Sequence, residues 1–216
     1  MHSIIPTRQI SEPLLHALHA RTLKDPLLAH QEGHLKVEAM RTLLSLGYTL
    51  QEGSPRNGNA NFATPHPDMP DVPVWHEGKR LISVDGGSSD LVALKDGGYR
   101  QFELKTRCDH GTKSAAATGE IAADLHRVAN HEGFTFIGVF DEGIYRSFSG
   151  DKSERRGRKV SNPELADIFP KSGALIAGKI TSFQFDFEGV PMLGLAVRQD
   201  VPGNGVRVIV VVDRVS

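Results

Sequence analysis

Two segments near the start of the chain carry apolar residues at helical spacing. In the first, Ser11 suits an N-cap and Pro13 suits a first turn, so we expect a helix beginning near Glu12. The second segment predicts a helix that Gly47 ends, with an apolar face made of Leu35, Ala39, Leu43 and Leu46. Residues 53–73 hold five prolines among Asn, Gly and Ser and predict a long loop.

The rest of the pattern is mostly that of short strands. Apolar runs at 72–76, 80–84, 88–94 and 99–106 alternate with turns, and Asp96-Gly97-Gly98 predicts a hairpin between the last two runs. Residues 115–131 predict a helix, and the apolar segment 134–140 predicts a strand buried on both faces. A helix between two strands indicates a crossover and a locally parallel pair. We expect a short helix from Ser161 and three strands after Ala174.

This order of elements predicts an α/β (α+β) protein with a mixed sheet. We expect residues 1–150 to form the core and residues 151–216 to add a basic loop, a short helix and strands packed on the same domain. The 216 residues are 39% hydrophobic and 24% charged, as in soluble globular proteins, and contain no apolar run that could span a membrane. A single cysteine, Cys108, excludes an internal disulfide framework, and the N-terminus lacks the plan of a signal peptide. We therefore expect a cytoplasmic protein.

The net charge argues against a protein that binds nucleic acid nonspecifically over its whole surface. The formal charge is −1, whereas phosphate binding of that kind favours a strongly basic chain. Any nucleic-acid contact would have to use a local basic patch. The polar loop at 151–159 is the candidate patch, with Lys152, Arg155, Arg156, Arg158 and Lys159. A run of this kind is otherwise an ordinary solvated loop.

One strand predicted to be buried carries a glutamate and a lysine two residues apart, Glu103 and Lys105. About one acid-x-Lys triplet is expected by chance in this composition, and a second occurs at 77–79, so the triplet alone proves nothing. Strand side chains alternate, so Glu103 and Lys105 share a face. The partner strand is apolar except for Asp90, which pairing about the 96–98 turn would bring to the height of Glu103. Two adjacent carboxylates favour a cation between them, and oxygen ligands suit Mg²⁺ or Mn²⁺. The alternative is a solvated sheet face with cross-strand ion pairs.

The segment S-S-D-L-V-A-L, the tight turn and Y-R-Q-F-E-L-K-T together resemble the PD-(D/E)xK nuclease superfamily, which includes many restriction endonucleases. The resemblance extends over about residues 33–140, and Ser89 stands where the family pattern commonly has proline. It implies a restriction-endonuclease-like core, a central mixed sheet flanked by helices, with the C-terminal strands as a β-rich extension. It also implies a Mg²⁺-dependent deoxyribonuclease, with Mn²⁺ as a substitute metal and DNA as partner.

Carried over residue by residue, the resemblance makes Asp90 and Glu103 metal ligands, Lys105 the catalytic lysine and the Leu104 carbonyl a further ligand. Members often add a glutamate from the helix before the sheet, and Glu38 matches that position. Asp85 competes with Asp90, but its glycine neighbours indicate a turn. The helix after the lysine strand offers Glu120, Asp124, His126 and Arg127, of which Glu120 is preferred. Lys113 and the basic loop are candidate DNA contacts.

Other interpretations remain open. The same fold could serve as a catalytically silent nucleic-acid-binding or assembly protein, or as a hydrolase of smaller phosphate esters. A zinc site is a minor alternative, with candidate ligands His66, Asp68, Asp71 and His76. The alternating Phe183, Phe185 and Phe187 predict a core strand face or an oligomer interface, and a homodimer is a possible assembly.

Overall fold

In the residues that the computed structural model describes, ten strands form one mixed sheet and four helices accompany it. Those residues are 3–25, 31–52, 59–82, 89–107, 114–149, 165, 168–201 and 205–215, with the backbone alone described at 114–118. The helices are α1 (Thr7–Lys24), α2 (Glu32–Ser45), α3 (Ser114–Asn130) and α4 (Glu142–Phe148). The strands are β1 (Ser3–Ile4), β2 (Thr49–Glu52), β3 (Asn59–Pro65), β4 (Pro73–Lys79), β5 (Leu91–Lys95), β6 (Gly98–Arg107), β7 (Phe134–Asp141), β8 (Ile180–Phe187), β9 (Val190–Val201) and β10 (Gly205–Arg214). The predicted mixed α and β class is confirmed.

The strand order across the sheet is β4-β3-β2-β5-β6-β7-β10-β9-β8, with β1 beside the start of β6. Neighbours are antiparallel except for the parallel pairs β6–β7 and β1–β6. The predicted crossover is confirmed, because α3 connects the two parallel strands β6 and β7. Since β10 pairs with β7, residues on both sides of position 150 belong to the same sheet.

Each face of the sheet carries its own hydrophobic core. On one face α1 and α2 pack against alternate strand residues such as Phe102, Leu104 and Ile209. On the other face α3 and α4 pack against residues such as Phe136, Phe140 and Val210. Phe187 belongs to this second core, and Phe183 and Phe185 pack against it, so the predicted core role of that strand face is confirmed.

The β5–β6 hairpin has the predicted register. Leu94 pairs with Tyr99 and Leu91 with Phe102. The two turn residues, Asp96 and Gly97, have φ angles of +51° and +76°. This left-handed conformation matches the twist of the flanking strands, which is why Asp-Gly is favoured in two-residue hairpins.

Several predicted boundaries were wrong. The first helix begins at Thr7, after Pro6, and Pro13 lies inside it; Ile10 and Leu14 are fully buried on one continuous face that spans the proline. The predicted loop at 53–73 contains strand β3, whose apolar inward residues alternate with exposed asparagines that disguised the pattern. Strand β4 continues through 77–79, where a turn was expected, while Arg80–Ile82 are not in a strand. Helix α4 was not predicted, and the expected helix start at Ser161 lies outside the described residues.

Among the described residues, none of the helices combines the length and the apolar character that crossing a bilayer requires.

Candidate active site

Asp90 immediately precedes β5 and is held against β6. Strand β5 begins at Leu91, while β6 continues past it to Arg107. The Asp90 backbone N–H donates to the Phe102 carbonyl at 2.8 Å, and Asp90 Oδ2 accepts a hydrogen bond from the Leu104 N–H at 2.8 Å. The carboxylate therefore supplies the acceptor for a β6 N–H that lies beyond the last β5–β6 residue pair. Because the N–H and C=O of one strand residue point to the same side, the Leu104 carbonyl is also directed toward Asp90.

Glu103 and Lys105 lie on the face of β6 opposite to the buried Phe102 and Leu104. Glu103 is 7% exposed, and its Oε1 accepts a hydrogen bond from Lys105 Nζ at 2.9 Å. Burial acts to lower the pKa of Lys105, but the hydrogen bond to Glu103 and the charges of nearby acids outweigh it, and the net pKa is raised. Lys105 is therefore a cation at neutral pH, which suits it to hold an anion or a water and not to act as a general base.

Helix α3 supplies two further charged groups to the same site. Arg127 NH1 lies 3.2 Å from Glu103 Oε2 and 3.5 Å from Asp124 Oδ1. Burial, followed by the charge of Glu103, raises the pKa of Asp124 to about 6, against an ordinary value of 3.8. The second oxygen, Asp124 Oδ2, is buried without a hydrogen-bond partner among the described residues. Two buried carboxylates therefore share one arginine, an arrangement that favours a bound proton or cation.

The N-terminal end of α2 lies at the opposite rim of the site. Glu32 Oε1 is 4.0 Å from Lys105 Nζ, and Glu32 Oε2 is 3.8 Å from Arg107 NH1. One turn later, Lys36 Nζ is 3.9 Å from Asp90 Oδ1. Burial is the main cause of a raised pKa at Glu32, with opposing effects from the surrounding charges. Helices from both faces of the sheet thus contribute charge where β6 extends past β5.

The structure places Glu38 away from this group. It is 5% exposed and pairs with Arg21 at 2.6 Å and with Arg41 at 3.3 Å, between α1 and α2. These contacts do not join Glu38 to Asp90, Glu103 or Lys105, so its role as the helix carboxylate stays a prediction. Glu32 lies six residues away from Glu38, about 9 Å along the helix and on another face. Glu32 is the acid of α2 that reaches the site, and the sequence pattern offered no signal for choosing it.

The other predicted residues divide into two groups. Glu120 pairs with Arg107 at the exposed edge of the site. Asp85, Lys113 and the basic-loop residues Arg155, Arg156, Arg158 and Lys159 lie outside the described residues. Among the candidate zinc ligands, His66 Nδ1 accepts a hydrogen bond from the Asp68 N–H at 3.1 Å, so this ring nitrogen already has a partner.

The donor set at the site can be compared with what a metal requires. Asp90, Glu103 and the Leu104 carbonyl offer oxygen atoms, which Mg²⁺ and Mn²⁺ prefer. The unpartnered Asp124 Oδ2 is a further buried oxygen beside them. Within the described chain, however, no three His, Cys, Asp or Glu side chains are grouped so as to hold a metal ion. The oxygen donors are thus of the type that a divalent ion prefers, while both Glu103 oxygens already pair with cations, Lys105 and Arg127.

The PD-(D/E)xK resemblance rests on the local arrangement of Asp90, Glu103 and Lys105. No protein-family model, no curated protein and no solved structure matches this chain.

Proposed function

We propose that this chain is a metal-dependent phosphodiesterase that hydrolyses DNA. The observation that carries the proposal is the juxtaposition of Asp90, held against β6 by the Leu104 N–H, with the Glu103–Lys105 pair on the same strand. A carboxylate pair at the end of a hairpin, with a cationic lysine 2.9 Å from one member, is the arrangement that the PD-(D/E)xK resemblance implies.

Each residue has a role that follows from its environment. Lys105, a cation at neutral pH, holds the attacking water or neutralises charge that develops on the phosphate. Arg127 fixes the Glu103 carboxylate, and Lys36 lies beside Asp90, so both carboxylates are oriented before substrate arrives. A Mg²⁺ ion held by Asp90, Glu103 and the Leu104 carbonyl would act as a Lewis acid toward the scissile phosphate.

Cations surround the carboxylates on several sides and favour an anionic substrate. Lys36, Lys105, Arg107 and Arg127 all lie within 4.0 Å of an acid of the site. They would supply a local patch of the kind that a chain of net charge −1 needs to bind a polyanion, and Lys113 and the basic loop at 151–159 stay candidate DNA contacts from the sequence alone. DNA as the substrate, in preference to RNA, comes from the family resemblance.

The test compares the two acid-x-Lys triplets of the same chain. We expect Lys105→Ala, Asp90→Asn and Glu103→Gln each to lower Mg²⁺-dependent cleavage roughly 100-fold or more, because each removes a group that contacts the reacting phosphate, its water or the metal. Lys79→Ala removes the exposed lysine of the other triplet and should leave cleavage unchanged. Single-stranded, duplex and branched DNA are incubated with Mg²⁺, Mn²⁺ or EDTA, and circular dichroism checks that every variant is folded.

Robust cleavage by the folded Lys105→Ala protein would contradict the mechanism. Equal loss in the Lys79→Ala protein would show that the effect is not specific to this site.

A second candidate function is a catalytically silent nucleic-acid-binding or assembly protein. It is favoured by the charge balance of the site, since Glu103 already pairs with Lys105 and Arg127, and Glu32 lies close to Lys105 and Arg107. Such a site is stable without a metal. Salt-dependent DNA binding by the native chain, with no cleavage under any metal condition, would favour this candidate over the nuclease.

A further inference from the structure

A pocket lies on the outer part of the sheet, on strands β2, β3 and β4. Its volume is about 470 Å³, within the roughly 300–1,000 Å³ common for ligand sites, and it is lined by Glu52, Asn61, Trp75, His76 and Glu77. Asn61 Nδ2 donates to Glu52 Oε2 at 2.8 Å, and Asn61 pairs with Glu77 across β3 and β4. The three side chains therefore form a row across three strands.

Trp75 supplies an exposed aromatic surface beside this row. It precedes Glu77 by two residues on β4, so both side chains point to the same face, and it is 50% exposed. The adjacent His76 ring is stacked on Phe62, with centroids 5.9 Å apart and planes inclined by 12°. An indole beside carboxylates is a favourable site for an organic cation, since the face of the ring and the carboxylates both attract positive charge.

The charge of the pocket favours a cation over a phosphate. Its lining includes two glutamates and no lysine or arginine. Within the described residues, neither Glu52 nor Glu77 forms an ion pair with a lysine or arginine side chain. A nucleic-acid backbone would be repelled here, whereas a guanidinium or ammonium group would gain both an aromatic contact and carboxylate hydrogen bonds.

Strand β4 also offers a backbone edge for an extended peptide. In the part of the chain that the structure describes, β4 pairs only with β3 and ends the sheet. A peptide added as a further strand would direct alternate side chains toward the face that holds Trp75 and Glu77. A strand with basic residues at every second position would thus bring cations to the pocket.

We propose that the pocket binds arginine or lysine side chains of an extended basic segment of a partner protein, docked along β4. This interaction does not depend on the nuclease proposal. Variants can test the two proposals separately. The pocket residues belong to β2, β3 and β4, whereas the carboxylates of the candidate active site lie just before β5 and on β6.

The only tryptophan of the chain is Trp75, so its fluorescence reports on the pocket directly. The full chain is titrated, in EDTA, with a decapeptide of alternating arginine and serine, with the matching glutamate–serine peptide, and with a ten-nucleotide single-stranded DNA. We expect a saturable fluorescence change with the arginine peptide alone, weakened by added salt. Glu77→Gln and the double variant Glu52→Gln/Glu77→Gln should weaken binding about fivefold and tenfold or more.

Glu132→Gln is the matched control, because it removes the same charge from an exposed position between α3 and β7 and should leave the affinity unchanged. Anisotropy of a labelled arginine peptide gives a second readout, in which Trp75→Ala should also bind more weakly. Binding of the arginine peptide that is equal in the double variant and the native chain overturns the proposal. So does a saturable response to the oligonucleotide alone, or the absence of any peptide binding at millimolar concentration.

Discussion

Glu32 and Glu38 lie six residues apart on α2, and their surroundings assign them different roles. Glu32 approaches Lys105 and Arg107, whereas Glu38 is buried between two arginines. We expect Glu32→Gln to reduce metal-dependent cleavage about tenfold with little change in stability, because its side chain is only partly buried at the rim of the site. Glu38→Gln should leave the chemistry intact and lower the free energy of unfolding by roughly 1–3 kcal/mol, because it removes the charge of a buried carboxylate that pairs with both Arg21 and Arg41.

Cleavage rates and urea denaturation, measured on both variants, test this assignment. The opposite outcome, a stability loss at Glu32 and an activity loss at Glu38, would restore the sequence-based choice of Glu38.

Asp124 gives the protein a specific pH dependence. Its folded pKa of about 6 lies above the ordinary value of 3.8, so the folded state binds this proton more tightly than the unfolded chain does. The stability that protonation contributes is complete below about pH 4 and is lost as the pH rises through about 6. We expect Asp124→Asn, which cannot ionise, to be more stable than the native chain at pH 8 by up to about 3 kcal/mol. Urea denaturation from pH 4 to pH 8 measures this; a difference that does not grow with pH contradicts the assignment.

At the scale of elements, one buried ionic network joins three strands and the residue that follows β1. Arg100 on β6 donates to the Ile5 carbonyl beyond β1, to Thr135 on β7 and, at 2.7 Å, to Asp213 on β10. Arg100 and Asp213 are 2% and 0% exposed. Removing one partner of a buried pair leaves the other charge uncompensated, which costs far more than the pair itself contributes.

We therefore expect Asp213→Asn to lower the free energy of unfolding by about 3–5 kcal/mol. The matched control is Asp200→Asn on β9, whose pair with Arg198 is of similar length, 2.9 Å, but has an Asp200 side chain 57% exposed. The Asp200→Asn substitution should lower the free energy of unfolding by less than about 1 kcal/mol. If denaturant titrations gave the same loss of unfolding free energy for both variants, burial would not determine how much each ion pair contributes to stability.

The elements also show what the sequence could predict and why. The β5–β6 hairpin, the α3 crossover and the last three strands were predicted because each has a local cause: a turn with φ greater than zero, an apolar helix face or a continuous apolar run. Strand β3 was missed because its outward asparagines look like a loop. Asp90, Glu103 and Lys105 could be placed together from the hairpin register alone. Glu32, in contrast, reaches the site through tertiary packing of α2, which no local pattern encodes.

For the whole molecule, the C-terminal strands belong to both cores. Strand β10 directs Ile209 and Val211 toward α1 and α2, and Val208 and Val210 toward α3 and α4. We therefore expect a single cooperative unfolding transition for the full chain. A fragment ending at residue 150 should show no cooperative transition, because it lacks the strand that completes each core.

Circular dichroism and intrinsic fluorescence, followed in urea for the full chain and the fragment, provide this measurement. A folded fragment with its own sharp transition would instead support residues 1–150 as an independent core.

The hydrogen bond from the Leu104 N–H to Asp90 has a consequence for comparing this chain with relatives. Because the carboxylate replaces a strand partner, position 90 has a task in closing the sheet as well as in any chemistry. In a relative without catalytic activity, an aspartate or asparagine at position 90 would still stabilise the sheet by accepting the hydrogen bond from the N–H of residue 104. An acid at position 90 is therefore a weak sign of retained activity. In the described part of the chain, the Lys105 side chain does not bond to the backbone of a neighbouring strand in this way. Replacement of this lysine in a relative would therefore say more about loss of activity than replacement of Asp90.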